Sequence, residues 1–171
     1  MNQVDGYSFS NTLFFERVLG WRGFCLEPNP DTFPKLQKVR ERSISVNACA
    51  SNETAVRSFL HCRGYTRMLS GMLHLMSPLH RERIDAEMRE KGGSCSVIDS
   101  KVVTLTNVLN GAGVTHVDLL SIDTEGSELQ VCYSSYPASP NIASLPHPLS
   151  LPNRSFSISC SSSTQILNCK P

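Results

Sequence analysis

Val117-Asp118-Leu119-Leu120-Ser121-Ile122-Asp123-Thr124-Glu125-Gly126-Ser127-Glu128 is a short apolar run that gives way to three carboxylates within six residues. The apolar part, Val117 to Ile122, reads as a strand buried on both faces, the pattern of a parallel sheet in an α/β protein. Packing does not explain the acids that follow. They suit a solvated helix start, where negative charge is favoured and Ser127 can help as a cap. Alternatively, Asp123 or Glu125 holds a cationic amino group or a substrate hydroxyl, with Gly126 letting a backbone approach closely. A carboxylate-bound metal is a third reading, with no further ligands nearby in sequence to support it.

Working outward, strand-like and helix-like segments alternate over residues 1–132, which predicts α/β architecture. Asn11 is placed to cap a helix whose Phe14, Phe15, Val18 and Leu19 share one face, with Gly20 as its left-handed terminus. Gly23 to Glu27 reads as a buried strand. Asp31 to Arg40 follows as a helix with Phe33, Leu36 and Val39 along its apolar stripe and Pro34 in its first turn. Ile44 to Ala50 and Ala55 to Leu60 read as two further strands, joined by a turn at Ser51-Asn52-Glu53. Pro78 to Lys91 is a charge-rich helix with Leu79, Ile84 and Met88 on one flank, stopped by Gly92-Gly93. Val97 to Leu105 is extended, and Thr106 to Leu109 starts a short helix closed by Gly111.

Ligands of open α/β sheets bind beyond the carboxyl ends of the strands. Two acids occupy such ends, Glu27 and Asp123. A carboxylate at Glu27 can accept both hydroxyls of a ribose, with Pro28 offering an apolar face to a base, or it can simply occupy a strand-to-helix turn.

Composition narrows the functional classes. The 171 residues are 40% hydrophobic and 18% charged, enough for one globular domain with a buried core. A net charge of +1 leaves no cationic excess for nucleic acid. No apolar stretch approaches the length of a membrane span, and no signal-peptide layout opens the chain, so a soluble cytoplasmic protein is the expectation. Seven cysteines without a C-x-x-C pair argue against a disulfide framework or structural zinc and read as buried small residues or free thiols. The five histidines are dispersed, and His74 and His80 do not share a helical face, so no metal site is expected.

Residues 133–171 differ in kind, with eleven Ser, six Pro and only Arg154 and Lys170 charged. Such a segment predicts an extended or disordered tail, with Phe156 to Ile158 as one possible edge strand.

Together, several segments resemble the FkbM-type methyltransferases in order and spacing. They are Ser8-Phe9-Ser10-Asn11-Thr12, Gly20-Trp21-Arg22-Gly23 leading into Leu26-Glu27-Pro28-Asn29-Pro30, Val46-Asn47-Ala48-Cys49-Ala50, Met68-Leu69-Ser70-Gly71, and Leu120 to Glu128. The resemblance implies a Rossmann-like sheet binding S-adenosylmethionine, with methyl transfer to a hydroxyl of a sugar or other small molecule. By position it implies Asp5 and Gly6 at the methionine part of the cofactor, Glu27 on the ribose with Pro28 beside it, and Asn47 and Ala48 near the adenine. Asp123 would face the methionine end, and Glu125 would be the catalytic residue nearest the acceptor.

The pattern also departs from the family at both ends. Only Met1-Asn2-Gln3-Val4 precedes Asp5-Gly6, so the first strand is expected to be reduced, leaving unpaired backbone between the second and fourth strands. After Val131 the tail replaces the last strands. An apparently truncated, inactive or unstable fragment is therefore the alternative to an active enzyme. A dinucleotide-dependent oxidoreductase is disfavoured because no G-x-G-x-x-G occurs.

Overall fold

The computed structural model describes residue 7 and residues 10–135 and 164–168; side chains are considered for residue 7 and residues 10–132. The architecture is mixed α/β, with two four-stranded sheets and five helices among the described residues.

The first sheet is built on β1 (Arg22–Leu26), whose residues from Gly23 onward are all buried, as a continuous apolar strand requires. β1 pairs in parallel with β2 (Ser43–Val46). On its other side lies β8 (Thr164–Asn168), antiparallel, which in turn pairs antiparallel with β7 (Leu119–Ser121). Because β8 opposes both neighbours, β1, β2 and β7 all run the same way. Their carboxyl ends share one edge, and the residues that follow them are Glu27, Asn47 and Ile122-Asp123.

β8 corrects one expectation. Composition predicts a tail outside the fold, yet Thr164–Asn168 is a strand in the middle of this sheet, with registers Phe24↔Ile166 and Leu120↔Ile166. The physical reason is the gap itself, since β1 and β7 would otherwise carry unpaired N–H and C=O groups. The tail's Gln165-Ile166-Leu167 is among its few segments free of Pro and charge, so it can enter a central ladder. The expected edge strand at Phe156 to Ile158, the reduced strand at Met1 to Val4, and Asp5 and Gly6 lie outside the described residues.

The second sheet joins β3 (Cys49–Ala50), β6 (Ser94–Val103), β4 (Ala55–Arg63) and β5 (Gly71–Met72) in that order. β4 and β6 form a long antiparallel ladder from Ala55↔Val102 to Arg63↔Ser94. The single strand expected over Ile44 to Ala50 is thus two, one in each sheet. The Ala48 N–H donates to the Val46 carbonyl at 3.1 Å, and the resulting tight turn redirects the chain.

Helices cover the sheets. α2 (Phe33–Val39) buries Leu36 and carries Pro34 in its first turn. α3 (Pro78–Lys91) is capped by the Ser77 hydroxyl, which accepts the His80 N–H, and ends at Gly92 with φ +74°. Its buried contact is Ile84, with Met88 beside it, whereas Leu79 is exposed. α4 (Leu105–Gly111) is capped by Thr104. α5 (Glu128–Ser135) follows the acidic motif. Phe24, Leu26, Ala50, Leu105, Leu109, Ile122 and Val131 pack where both sheets meet α4 and α5.

α1 (Leu13–Arg17) reverses its expected orientation. Phe14, Val18 and Leu19 are exposed, and the buried residues are Thr12 and Glu16. Asn11 does not cap it; its amide donates to the Ser121 hydroxyl at 3.3 Å, and Ser10 Oγ accepts the Leu13 N–H instead. Gly20 does adopt the left-handed conformation, φ +72°.

The cysteines supply a further correction. Cys62 and Cys95 are register partners on β4 and β6 and form a disulfide, the antiparallel pairing having brought distant positions side by side. This link closes a loop of about 30 residues, so reduction by dithiothreitol is expected to cost about 2–4 kcal/mol of unfolding free energy. A thermal melt with and without reductant measures it, and identical midpoints would contradict the link.

Candidate functional site

The site is built where the first sheet's carboxyl edge meets β3, β4 and β5. Leu26, Pro28, Ala50, Phe59, Gly71 and Thr124 are among the residues lining a small cleft that opens to solvent.

Glu27 leaves β1 fully buried. Its Oε1 accepts the Asn29 N–H at 2.8 Å, while Oε2 is buried with no hydrogen-bond partner among the described residues. Burial pushes its carboxyl up to about 8. Asn47 holds the same loop from β2, its amide donating to the Glu27 carbonyl at 2.8 Å and the Pro28 carbonyl at 3.3 Å. From the second sheet, Arg63 Nε donates to Asp31 Oδ2 at 2.8 Å, with His61 Nε2 at 3.2 Å. The Glu27–Asp31 loop is thereby fixed from both sides.

Asp123 leaves β7, on the far side of β8 and so about 10 Å from β1 by strand spacing. It is 3% exposed, and neither carboxylate oxygen has a hydrogen-bond partner among the described residues. Burial first, then the charges of Glu125 and Glu128, push it up to about 8. Burying such oxygens without donors is costly, so they mark a place where a ligand's donors would be welcome.

The rest of the motif is shaped around Asp123. Glu128 folds back to accept the Thr124 N–H at 2.9 Å and the Gly126 N–H at 3.0 Å. Burial opposes its ionisation, but these backbone donors outweigh it and hold the carboxyl low. Ser127 directly precedes α5, its carbonyl accepting the Val131 N–H at 3.0 Å, and its hydroxyl donates to the Ala50 carbonyl at 3.1 Å and pins the motif to β3. Gly126 has φ +123°, and a Cβ there would lie 2.9 Å from the Leu75 carbonyl oxygen, so only glycine fits. A fixed acidic loop, three buried carboxylate oxygens without a partner among the described residues, and a cleft lined by their chain neighbours Leu26, Pro28 and Thr124 are the context of the family comparison. A family model described as the methyltransferase FkbM domain matches residues 2–144.

The chain belongs to the FkbM methyltransferase family. No curated protein and no solved structure matches it. Within this FkbM domain, the candidate residues Glu27, Pro28, Asn47, Ala48, Asp123 and Glu125 all follow the carboxyl ends of β1, β2 or β7. Pro28 lines the cleft. Ala48 is buried, and the Asn47 amide donates to the Glu27 loop.

Glu125 itself has a left-handed backbone, φ +51°, which is uncommon for a residue with a side chain. Burial raises its carboxyl, with His80 and Arg83 acting against that and Glu128 adding to it. His80 is a site residue that sequence reasoning passed over. Spacing from His74 along the chain does not reveal it, because the charged group it faces is Glu125, whose Oε2 lies 3.6 Å from His80 Nδ1. Ser70 and Gly71, quoted only for the resemblance, turn out to line the cleft. Among the described residues, no group of three or more His, Cys, Asp or Glu is arranged to hold a metal ion, and no helix is long and apolar enough to cross a membrane.

Proposed function

We propose that this FkbM domain transfers a methyl group from S-adenosylmethionine to a hydroxyl oxygen of a sugar or other small molecule. The observation that carries the proposal is the set of unpartnered buried oxygens, Glu27 Oε2 and both of Asp123, following two parallel strands of one sheet. We read that sheet as Rossmann-like, with β8 in the place of the family's first strand.

The residues present fit the cofactor. Glu27 supplies a free acceptor for ribose hydroxyls, Pro28 an apolar surface for the adenine, and Asp123 two acceptors for an ammonium group. Asn47 and Ala48 keep the Glu27 turn in shape, and Asp5 and Gly6 are assigned to the methionine part. Residues 1–132 carry every one of these groups. Bound S-adenosylmethionine supplies an electrophilic methyl carbon on a sulfonium, so what the protein must add is alignment. Glu125, on the same loop as Asp123, is assigned to the acceptor.

Isothermal calorimetry tests the proposal on the full chain. The wild type is expected to bind S-adenosylmethionine, and Glu27→Gln to bind it about 10- to 100-fold less tightly, the ~1.5–3 kcal/mol of a charged hydrogen bond. The amide is isosteric and relieves a buried acid, so a loss of binding is not a loss of folding. Absence of heat with the wild type at millimolar cofactor, or equal affinity in both proteins, refutes the proposal.

A further inference from the structure

His80 lies in the first turn of α3, and its Nε2 is 3.0 Å from the Leu69 carbonyl oxygen. A carbonyl only accepts, so Nε2 carries a hydrogen and donates it. In the neutral ring Nδ1 is then a lone pair, and it faces Glu125 Oε2 at 3.6 Å. Two lone-pair atoms so placed gain from one proton between them. Both side chains are largely but not fully enclosed, His80 at 13% and Glu125 at 14% exposure. Glu125 also borders the cleft: a Cβ on the cleft-lining Gly71 would meet Glu125 Cβ at 3.5 Å and its carbonyl oxygen at 3.4 Å.

We propose that Glu125 and His80 form the proton-accepting pair for the methyl acceptor, with Glu125 the catalytic residue and His80 the residue that positions it. The inference rests on the reading of methyl transfer to a hydroxyl. In that reaction the acceptor oxygen bonds to the methyl carbon while the carbon–sulfur bond of the sulfonium donor breaks, its electron pair staying on sulfur. The acceptor's O–H bond breaks at the same centre, its electron pair stays on oxygen, and the proton passes to Glu125. From there it is shared with His80 Nδ1, so the pair gains one proton per turnover and returns it to solvent.

The groups facing Glu125 are consistent with this. His80 and Arg83 from α3 favour its ionised, proton-accepting form, while burial and Glu128 from α5 disfavour it. Glu125 in turn raises Asp123 beside it. Burial is the largest of the influences on Glu125, so its carboxyl is raised above its ordinary range, the direction that makes it a stronger base.

The pair is testable without an acceptor. NMR on the full chain with ¹³C-labelled glutamate, assigned through Glu125→Gln, reads the Glu125 carboxyl, and ¹⁵N-labelled histidine reads the His80 tautomer. The wild-type neutral ring is expected to carry its hydrogen on Nε2, and His80→Gln to raise the Glu125 midpoint by about one pH unit. S-adenosylmethionine affinity, by calorimetry, is expected to stay within twofold in His80→Gln. A hydrogen on Nδ1, an unmoved Glu125 midpoint, or a tenfold loss of cofactor affinity in His80→Gln overturns this inference alone. A wild type that binds no cofactor overturns the methyl-transfer reading and the inference with it.

Discussion

Replacing Arg40 with Met is expected to destabilise the protein by about 3–5 kcal/mol, measured as the drop in urea unfolding free energy at pH 7. Arg40 is 1% exposed although it carries a full charge. Its Nε donates to Glu16 Oε2 at 2.7 Å, Nη1 to the Ser10 hydroxyl at 3.0 Å, and Nη2 to the Thr12 hydroxyl at 2.8 Å. Glu16 also accepts from the Arg42 N–H and the Ser43 hydroxyl. The group joins α1 to the end of α2 and the start of β2. Burial opposes Glu16 ionisation, but the hydrogen bonds from Ser43 and Arg40 outweigh it and hold the carboxyl low. Removing the cation therefore strands a buried carboxylate. The paired change Glu16→Leu with Arg40→Met is expected to recover most of the loss, because the desolvation cost of both ions disappears together. A single-variant loss below about 1 kcal/mol would show that the pair is exposed to solvent in solution.

A second large effect is a fall in stability as pH rises from about 4 to 8. The folded-state carboxyls of Glu27 and Asp123 are pushed up to about 8, first by burial in both cases. In the unfolded chain both titrate near 4. Between these limits each of the two binds up to one more proton in the native state than in the unfolded state, and Glu125, also raised by burial, adds to the difference, so unfolding free energy declines with rising pH. The contribution is complete below about pH 4 and is lost as pH passes through 8. Its slope approaches ~1.4 kcal/mol per pH unit for each group. Glu16 and Glu128, whose carboxyls are lowered, act in the opposite sense, stabilising above the unfolded value and losing that stability as pH falls below it. Urea titrations at pH 5, 6.5 and 8 are expected to show the decline, and Glu27→Gln is expected to make it shallower by up to the ~1.4 kcal/mol per pH unit of one group. A stability that rises over this range would mean that neither carboxyl is buried as described. If the proposed function holds, bound S-adenosylmethionine is expected to offset the loss at pH 8, because its hydroxyls and ammonium would favour the ionised forms.

These effects involve groups of unequal legibility. Glu27 and Asp123 were visible in the sequence because an apolar strand ending in an acid has few packing explanations. The α3 helix over Pro78 to Lys91, with its stop at Gly92, is legible because its signals are local. The Arg40–Glu16 pair was not, since its partners lie 24 residues apart and α1's apolar residues gave the opposite burial pattern. The Cys62–Cys95 link was hidden for the same reason, its neighbours being set by the β4–β6 register. His80 was set aside because spacing compares residues along one helix, whereas Glu125 reaches it from another element.

The run Leu119 to Glu128 by itself carries a strand that ends in an acidic turn. That strand is shorter than the Val117 to Ile122 expected, is half-buried at Leu119 and Leu120 rather than buried on both faces, and pairs antiparallel with β8 instead of sitting in a parallel ladder. The strand follows from its local apolar run, and with Gly20 to Pro30 the motif carries the resemblance to the FkbM family that the family model bears out. Only the tertiary structure decided that Thr164–Asn168 fills the space between β1 and β7, that the Ile44 to Ala50 segment divides between two sheets, and that His80 meets Glu125. Those outcomes depend on which unpaired backbone edge and which buried charge find a partner from a distant part of the chain, and local sequence does not encode that choice.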